Sequence, residues 1–145
     1  MEDLTAEHID AFLHENVRAP LLLVQAFAEQ FESERGSVVL LTSGGHLAPM
    51  ASEIAYGVSK GALAIATSTL AEAVADRGIR VNCVNPGPTD TGWGIGDVDP
   101  TRRMPFGRWG EPGDAARLVA WLCSDDGRWL TGQVLDSEGG FRRWS

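Results

Sequence analysis

The stretch Ser-Glu-Ile-Ala-Tyr-Gly-Val-Ser-Lys-Gly-Ala-Leu-Ala-Ile-Ala-Thr-Ser-Thr-Leu-Ala-Glu-Ala-Val-Ala-Asp-Arg, Ser52 to Arg77, decides how the rest of the chain is read. It is dense in Ala and Leu, which favour helix. Ser52 suits the N-cap, and Gly78 suits a left-handed stop just past the end. Val58, Ala62, Leu63, Ile65, Ala66, Leu70 and Val74 recur at three- and four-residue spacings, so a broad face is buried. Tyr56 and Lys60 stand four apart and share one face. At about 5 Å and an effective dielectric of about 20, an ammonium favours a phenolate by roughly 3 kcal/mol, or about two pKa units. That brings Tyr56 towards neutral pH, where a general acid or base is useful. The competing reading is an aromatic at a helix start and a solvated lysine.

Working outward, Ser37 to Thr42 carries Val38, Val39, Leu40 and Leu41 after Gly36 and reads as a buried strand. It runs into Ser43-Gly44-Gly45, at the strand end where open α/β sheets place ligands. Ser43 lies outside a Gly-x-Ser-x-Gly elbow, which disfavours a serine hydrolase; a plain turn serine is the other reading. Ile79 to Val84 is a second strand, broken by Asn85-Pro86-Gly87-Pro88. Thr89 to Trp109 is an irregular loop, of a length typical of lids or disordered segments, in which Trp93, Met104 and Phe106 are candidates to line an apolar pocket. Glu111 and Pro112 open a helix faced by Ala115, Leu118, Val119 and Leu122. Gly132 to Asp136 is a third, shorter strand before the Gly139-Gly140 turn.

Before all of these, Thr5 to Glu32 reads as a long helix with Thr5 as N-cap and a stripe of Ile9, Phe12, Leu13, Val17, Val24, Phe27 and Phe31. Pro20 has no N–H for the carbonyl four residues back, that of Asn16. Either that carbonyl opens to an ordered water, or the helix kinks and Asn16 is exposed. The alternation of helices and strands predicts an α/β fold with a parallel sheet and helices on both faces.

The 145 residues suit one domain, and 43% hydrophobic composition is enough for a core. A net charge of −8 without a basic stripe argues against nucleic acid. No apolar run is long enough for a membrane span, and no signal peptide is read. Cys83 and Cys123, far apart, read as reduced thiols of a cytoplasmic protein. His8, His14 and His46 lack metal-ligand spacing, so no metal is expected.

Taken in order, Ser43, Tyr56-x-x-x-Lys60, Asn85-Pro86-Gly87, Pro105-Phe106-Gly107-Arg108, Trp121-Leu122-Cys123-Ser124-Asp125 and Gly132-Gln133 to Gly139-Gly140 resemble the short-chain dehydrogenase/reductase family, nearest its bacterial 3-oxoacyl-carrier-protein reductase-like members. The resemblance covers nearly the whole chain and implies an oxidoreductase using NAD(P)(H) on a small carbonyl or alcohol. It implies that Tyr56 is the acid or base, that Lys60 tunes it and holds the nicotinamide ribose, and that Ser43 holds the substrate oxygen. Asn16 matches the position whose carbonyl holds a relay water, and Pro86, Gly87, Thr89 and Thr91 match the nicotinamide-lining segment. The family's Gly-rich turn for the cofactor phosphates is not found in this sequence. The expected fold is therefore a truncated Rossmann-like, doubly wound parallel sheet of about three strands with flanking helices, one partial domain over residues 1–145, lacking the N-terminal Gly-rich βαβ half. Cofactor affinity is expected to fall by several kcal/mol, because charge-assisted phosphate contacts are worth about 1.5–3 kcal/mol each. The first strand is expected to be an unpaired edge, and helices 5–32 and 52–77 are expected to support a homo-oligomer. The alternative to an enzyme is a non-catalytic remnant that acts as an assembly subunit.

Overall fold

The computed structural model describes residues 4–92, 95 and 99–144. Helix α1 (Ala6–Leu13) begins at Thr5, whose hydroxyl accepts from the His8 N–H at 3.2 Å. It does not run on unbroken. His14–Arg18 forms a π-helical turn, in which the Ala19 N–H donates to the His14 carbonyl, before helix α2 (Ala19–Gln30). Pro20 explains the break: it supplies no N–H for an α-type bond to Asn16, and a wider turn accommodates the loss.

Strand β1 (Gly36–Leu41) follows, then helix α3 (Ile54–Val74), strand β2 (Ile79–Asn85), helix α4 (Pro112–Cys123) and strand β3 (Val134–Asp136). The sheet has order β1-β2-β3, with both pairings parallel. This is the expected α/β alternation, a three-stranded part of a doubly wound, Rossmann-like sheet. Among the described residues β1 pairs only with β2, so it is an edge, as expected.

Several boundaries differ from the sequence reading: α2 ends at Gln30, β1 spans Gly36–Leu41 and β2 runs on to Asn85. Helix α3 starts at Ile54, with Glu53 in the N-cap place and no side-chain cap, so Ser52 lies outside it. Strand β3 starts at Val134; before it, side chains replace ladder partners, as the Thr131 hydroxyl accepts from Val81 N–H and the Gln133 N–H donates to Asn82 Oδ1. The stop at Gly78 is as expected. Its φ is 70°, and an added Cβ would stand 2.2 Å from the Glu34 carbonyl oxygen, so only glycine turns the chain here from α3 into β2.

Central strand β2 is covered on both faces. Ile79, Val81 and Cys83 pack with Val24 and Ala28 of α2 and with Leu63, Ala71 and Val74 of α3. On the other face Arg80 donates to the Leu122 carbonyl of α4 at 2.7 Å and Asn82 to the Leu130 carbonyl at 2.9 Å. Helix α4 opens with a capping box of Glu111 and Asp114. Arg108 binds the Asp114 carboxylate through both terminal nitrogens, at 2.7 and 3.1 Å, and with the cap holds its pKa at about 2. The loop after β2 is closed at its base, where Asp90 N–H donates to Gly110 and Gly110 N–H to Pro88.

Candidate active site

Parallel strands bring their carboxyl ends to one edge of the sheet, and the candidate residues gather there. Ser43 lies two residues past β1, Asn85 ends β2 and Asp136 ends β3. Helix α3 is tied to the same edge. Thr42 Oγ1 donates to the Lys60 carbonyl at 2.7 Å, and Lys60 Nζ donates to the Leu41 carbonyl at 3.2 Å. These bonds set the first two turns of α3, and Tyr56 with them, beside Ser43.

Ser59 joins this corner to the π turn. It is fully buried; its hydroxyl donates to the Tyr56 carbonyl at 2.8 Å and accepts from Asn16 Nδ2 at 3.1 Å. Asn16 is therefore partly buried and held, rather than exposed on a simple kink. Phe12 of α1 stands edge-on to the Tyr56 ring, with centroids 5.7 Å apart. The structure thus brings Tyr56, Lys60, Ser43 and Asn16 into one corner. Ser59 was not singled out from sequence; its place directly before Lys60 on the buried side of α3 was the available signal.

The electrostatics depart from expectation. Burial pushes the Tyr56 phenol above its ordinary value; a hydrogen bond with Ser43 lowers it to a lesser extent, and Glu53 raises it further. Burial likewise pushes the Lys60 ammonium down, and Cys83 raises it slightly. The four-residue spacing predicts an ammonium about 5 Å from the phenol. Instead Lys60 Nζ reaches to the Leu41 carbonyl and lies 6.0 Å from the centre of the Tyr56 ring. Desolvation therefore sets the direction of the shift and favours the neutral phenol.

The Asn85-Pro86-Gly87 turn is built from its own groups. Gly87 N–H donates to Asn85 Oδ1 at 3.1 Å, and the Thr89 hydroxyl lies 3.3 Å from the Pro86 carbonyl and 3.2 Å from that of Gly87. A Cβ at Gly87, where φ is 67°, would come within 2.7 Å of Glu138 Cα, so the turn closes against the segment after β3 only with glycine. Thr91 is exposed in the loop beyond. Of the three apolar loop candidates, Met104 is buried against Gly139, Phe106 is 78% exposed, and Trp93 lies outside the described residues. A cleft of about 360 Å³ lined by Gly45, Met50, Ile54 and Val58 adjoins the corner, with Met50 Sδ 3.8 Å from Ser43 Oγ.

Ser43, His46 and Asp136 are the residue types of a hydrolase triad, but their geometry is not that of one. His46 Nδ1 faces the Ser43 carbonyl oxygen at 3.0 Å and Nε2 faces Asp136 Oδ1 at 3.2 Å, so neither nitrogen serves the Ser43 hydroxyl.

Residues 1–142 match the family described as enoyl-(acyl carrier protein) reductase. The chain is 41% identical to the uncharacterized oxidoreductase YjdA of Bacillus subtilis, covering 97% of this chain and 58% of the relative. Its fold superposes on the reductase LugOII, which catalyses keto-reduction at C1 during lugdunomycin biosynthesis, with a TM-score of 0.86 and 37% identity over 96% of this chain and 57% of that one. It also superposes on a short-chain dehydrogenase of Burkholderia cenocepacia in complex with NADP, with a TM-score of 0.87 and 36% identity over 97% of this chain and 59% of that one. The chain thus spans somewhat under three fifths of the length of each.

Proposed function

Because the chain belongs to the short-chain dehydrogenase/reductase family, we propose that it forms the catalytic side of an NAD(P)-dependent oxidoreductase acting on a small carbonyl or alcohol. The gathering of Tyr56, Lys60, Ser43 and Asn16 at the end of β1 carries this reading. The nicotinamide group supplies or accepts the hydride when bound. The donor chemistry of the corner fits it: an ammonium has three protons, and the Leu41 carbonyl takes one of those of Lys60, leaving donors for ribose hydroxyls. Pro86, Gly87, Thr89 and Thr91 line the nicotinamide side in this proposal, and the chain is one part of a single dinucleotide-binding domain.

The residues then have separate tasks. Ser43 donates to the substrate oxygen and stabilises the charge that develops there. Tyr56, kept neutral by burial, holds its proton until that oxygen needs it, which suits carbonyl reduction. Asn16, fixed through Ser59, offers its carbonyl to a water that returns a proton by way of Lys60. The free thiols Cys83 and Cys123 support a reducing, cytoplasmic setting.

A fluorescence titration with NADPH and NADH tests the reading. Saturable binding is the expected result, and Lys60→Ala is expected to weaken it by about tenfold or more, the worth of a charge-assisted hydrogen bond. No binding at millimolar cofactor would overturn it for this chain.

The proposal includes self-association through the two long helical segments. Leu22 and Leu23 on α2 and Val58 and Ile65 on α3 are exposed, Ile65 to 81%. Sedimentation at micromolar concentration is expected to show a dimer or larger species; a clean monomer would count against this part.

A further inference from the structure

The proposed reaction gives the segment after β3 no task, yet that segment is firmly held beside the site. Asn85, fully buried at the end of β2, donates through Nδ2 to Asp136 Oδ1 at 2.9 Å and to Glu138 Oε1 at 2.6 Å. Glu138 also packs on the Asn-Pro-Gly turn, where a Cβ at Gly87 would stand 2.9 Å from its Cβ. Arg143 folds back and donates to both oxygens of Glu138. The chain between them is pinned as well. Phe141 N–H donates to the Glu138 carbonyl at 3.2 Å, and Arg142 N–H to the Arg103 carbonyl at 2.9 Å. The Phe141 ring centre lies 5.2 Å from Arg143 Cζ.

The guanidinium so placed meets the serine loop. A Cβ at Gly44 would collide with Arg143 Nη2 and stand 3.1 Å from Glu138 Oε1 and 3.2 Å from Arg143 Cζ. Its three nearest neighbours thus all belong to the Glu138–Arg143 pair. Gly44 is not in the left-handed region, so its own backbone does not ask for glycine. The missing side chain instead makes room for the guanidinium. An arginine that grips both oxygens of a carboxylate is fixed in plane as well as in place. Gly44, directly after Ser43, therefore rests against a rigid surface.

We propose that Arg143 is a positioning residue: seated on Glu138, its guanidinium bears on Gly44 and sets where the adjoining Ser43 stands. The kinetic part rests on the role proposed for Ser43 above; the placement of the loop does not. Through this contact the segment after β3 holds the loop after β1 in register with the Asn-Pro-Gly turn after β2.

Lysine in place of Arg143 keeps the charge but, as a single ammonium, neither holds both Glu138 oxygens nor presents a flat face to Gly44. In ¹⁵N–¹H NMR spectra of the full chain, Arg143→Lys is expected to shift the Ser43 and Gly45 amide signals. That of Gly78, at the opposite end of the sheet, is expected to stay in place. Unmoved Ser43 and Gly45 signals would overturn the proposal, whether or not the chain turns over substrate. In NADPH-dependent reduction of cyclohexanone, Gly44→Ala is expected to lower kcat by about tenfold or more with NADPH affinity unchanged, the mark of a displaced group. In an Arg143→Ala, Glu138→Gln background the added methyl has room, and the same change is expected to cost no more than about twofold. Equal losses in the two backgrounds would overturn the link through Arg143, as would an unchanged kcat in Gly44→Ala. Full turnover in Tyr56→Phe would defeat the proposed function and leave the amide shifts standing.

Discussion

Tyr56→Phe is expected to lower turnover by about 10²–10⁴-fold, the usual contribution of a positioned general acid, while cofactor affinity stays nearly constant. The substitution removes one oxygen from a ring already held by Phe12 and leaves the Ser59 bond to the Tyr56 carbonyl intact. Loss of rate without loss of fold is therefore the expected pattern, and steady-state kinetics beside a cofactor titration would read it. The pH dependence has a definite sign. Burial raises the phenol above its ordinary value, so the acid form is present throughout the neutral range. Reduction should be level there and decline as pH rises through the phenol's titration. Oxidation needs the phenolate and should rise in the same direction. A reduction rate that falls between about pH 7 and 8 would instead mean that something draws the phenol down to the range of the simple Tyr–Lys argument.

Arg143→Ala is expected to cost about 3–5 kcal/mol of stability, the usual consequence of leaving one member of a buried pair alone. The side chains of Arg143 and Glu138 are 15% and 8% exposed, so the pair is largely withdrawn from solvent. The charge left behind would face Asp136 across the shared Asn85 amide, which adds like-charge repulsion. Urea unfolding would read the cost as a lower midpoint at unchanged slope. Adding Glu138→Gln should recover part of it, because the neutral amide still accepts from Asn85. A midpoint unmoved by Arg143→Ala would show that the pair contributes nothing net.

The elements that local chemistry encodes were legible in the sequence. Thr5 caps α1, Gly78 ends the helical segment before β2, Glu111-Pro112 opens α4, and the β-branched runs at 37–42 and 79–84 are strands. The position of Pro20 pointed to a disturbed turn at Asn16, where the structure has a π turn. Features that depend on distant groups were not legible. The Tyr56 phenol shifts up because of burial by other elements, which the spacing of Tyr56 and Lys60 does not report. Phe106 is apolar yet exposed, since composition alone does not say which way a loop residue faces. The network of His46, Asn85, Asp136, Glu138 and Arg143 draws on the ends of three strands and the C-terminal tail. Its members look like ordinary turn and surface residues until the sheet brings them together.

The π turn at 14–18 also settles a matter of phase. An α-helix advances about 100° per residue, so inserting or deleting one residue turns everything upstream by that angle. Phe12 on one side of the π turn meets the Tyr56 ring, while Val24 and Ala28 on the other enter the core. Both sets face inward because the wider turn takes up the extra rotation between them. Shortening the segment by one residue to recover a regular helix would swing Phe12 away from Tyr56 and leave the downstream packing untouched. The irregular turn thus works as a coupling between two rotational settings of one helix, one serving the core and the other the Tyr56 ring.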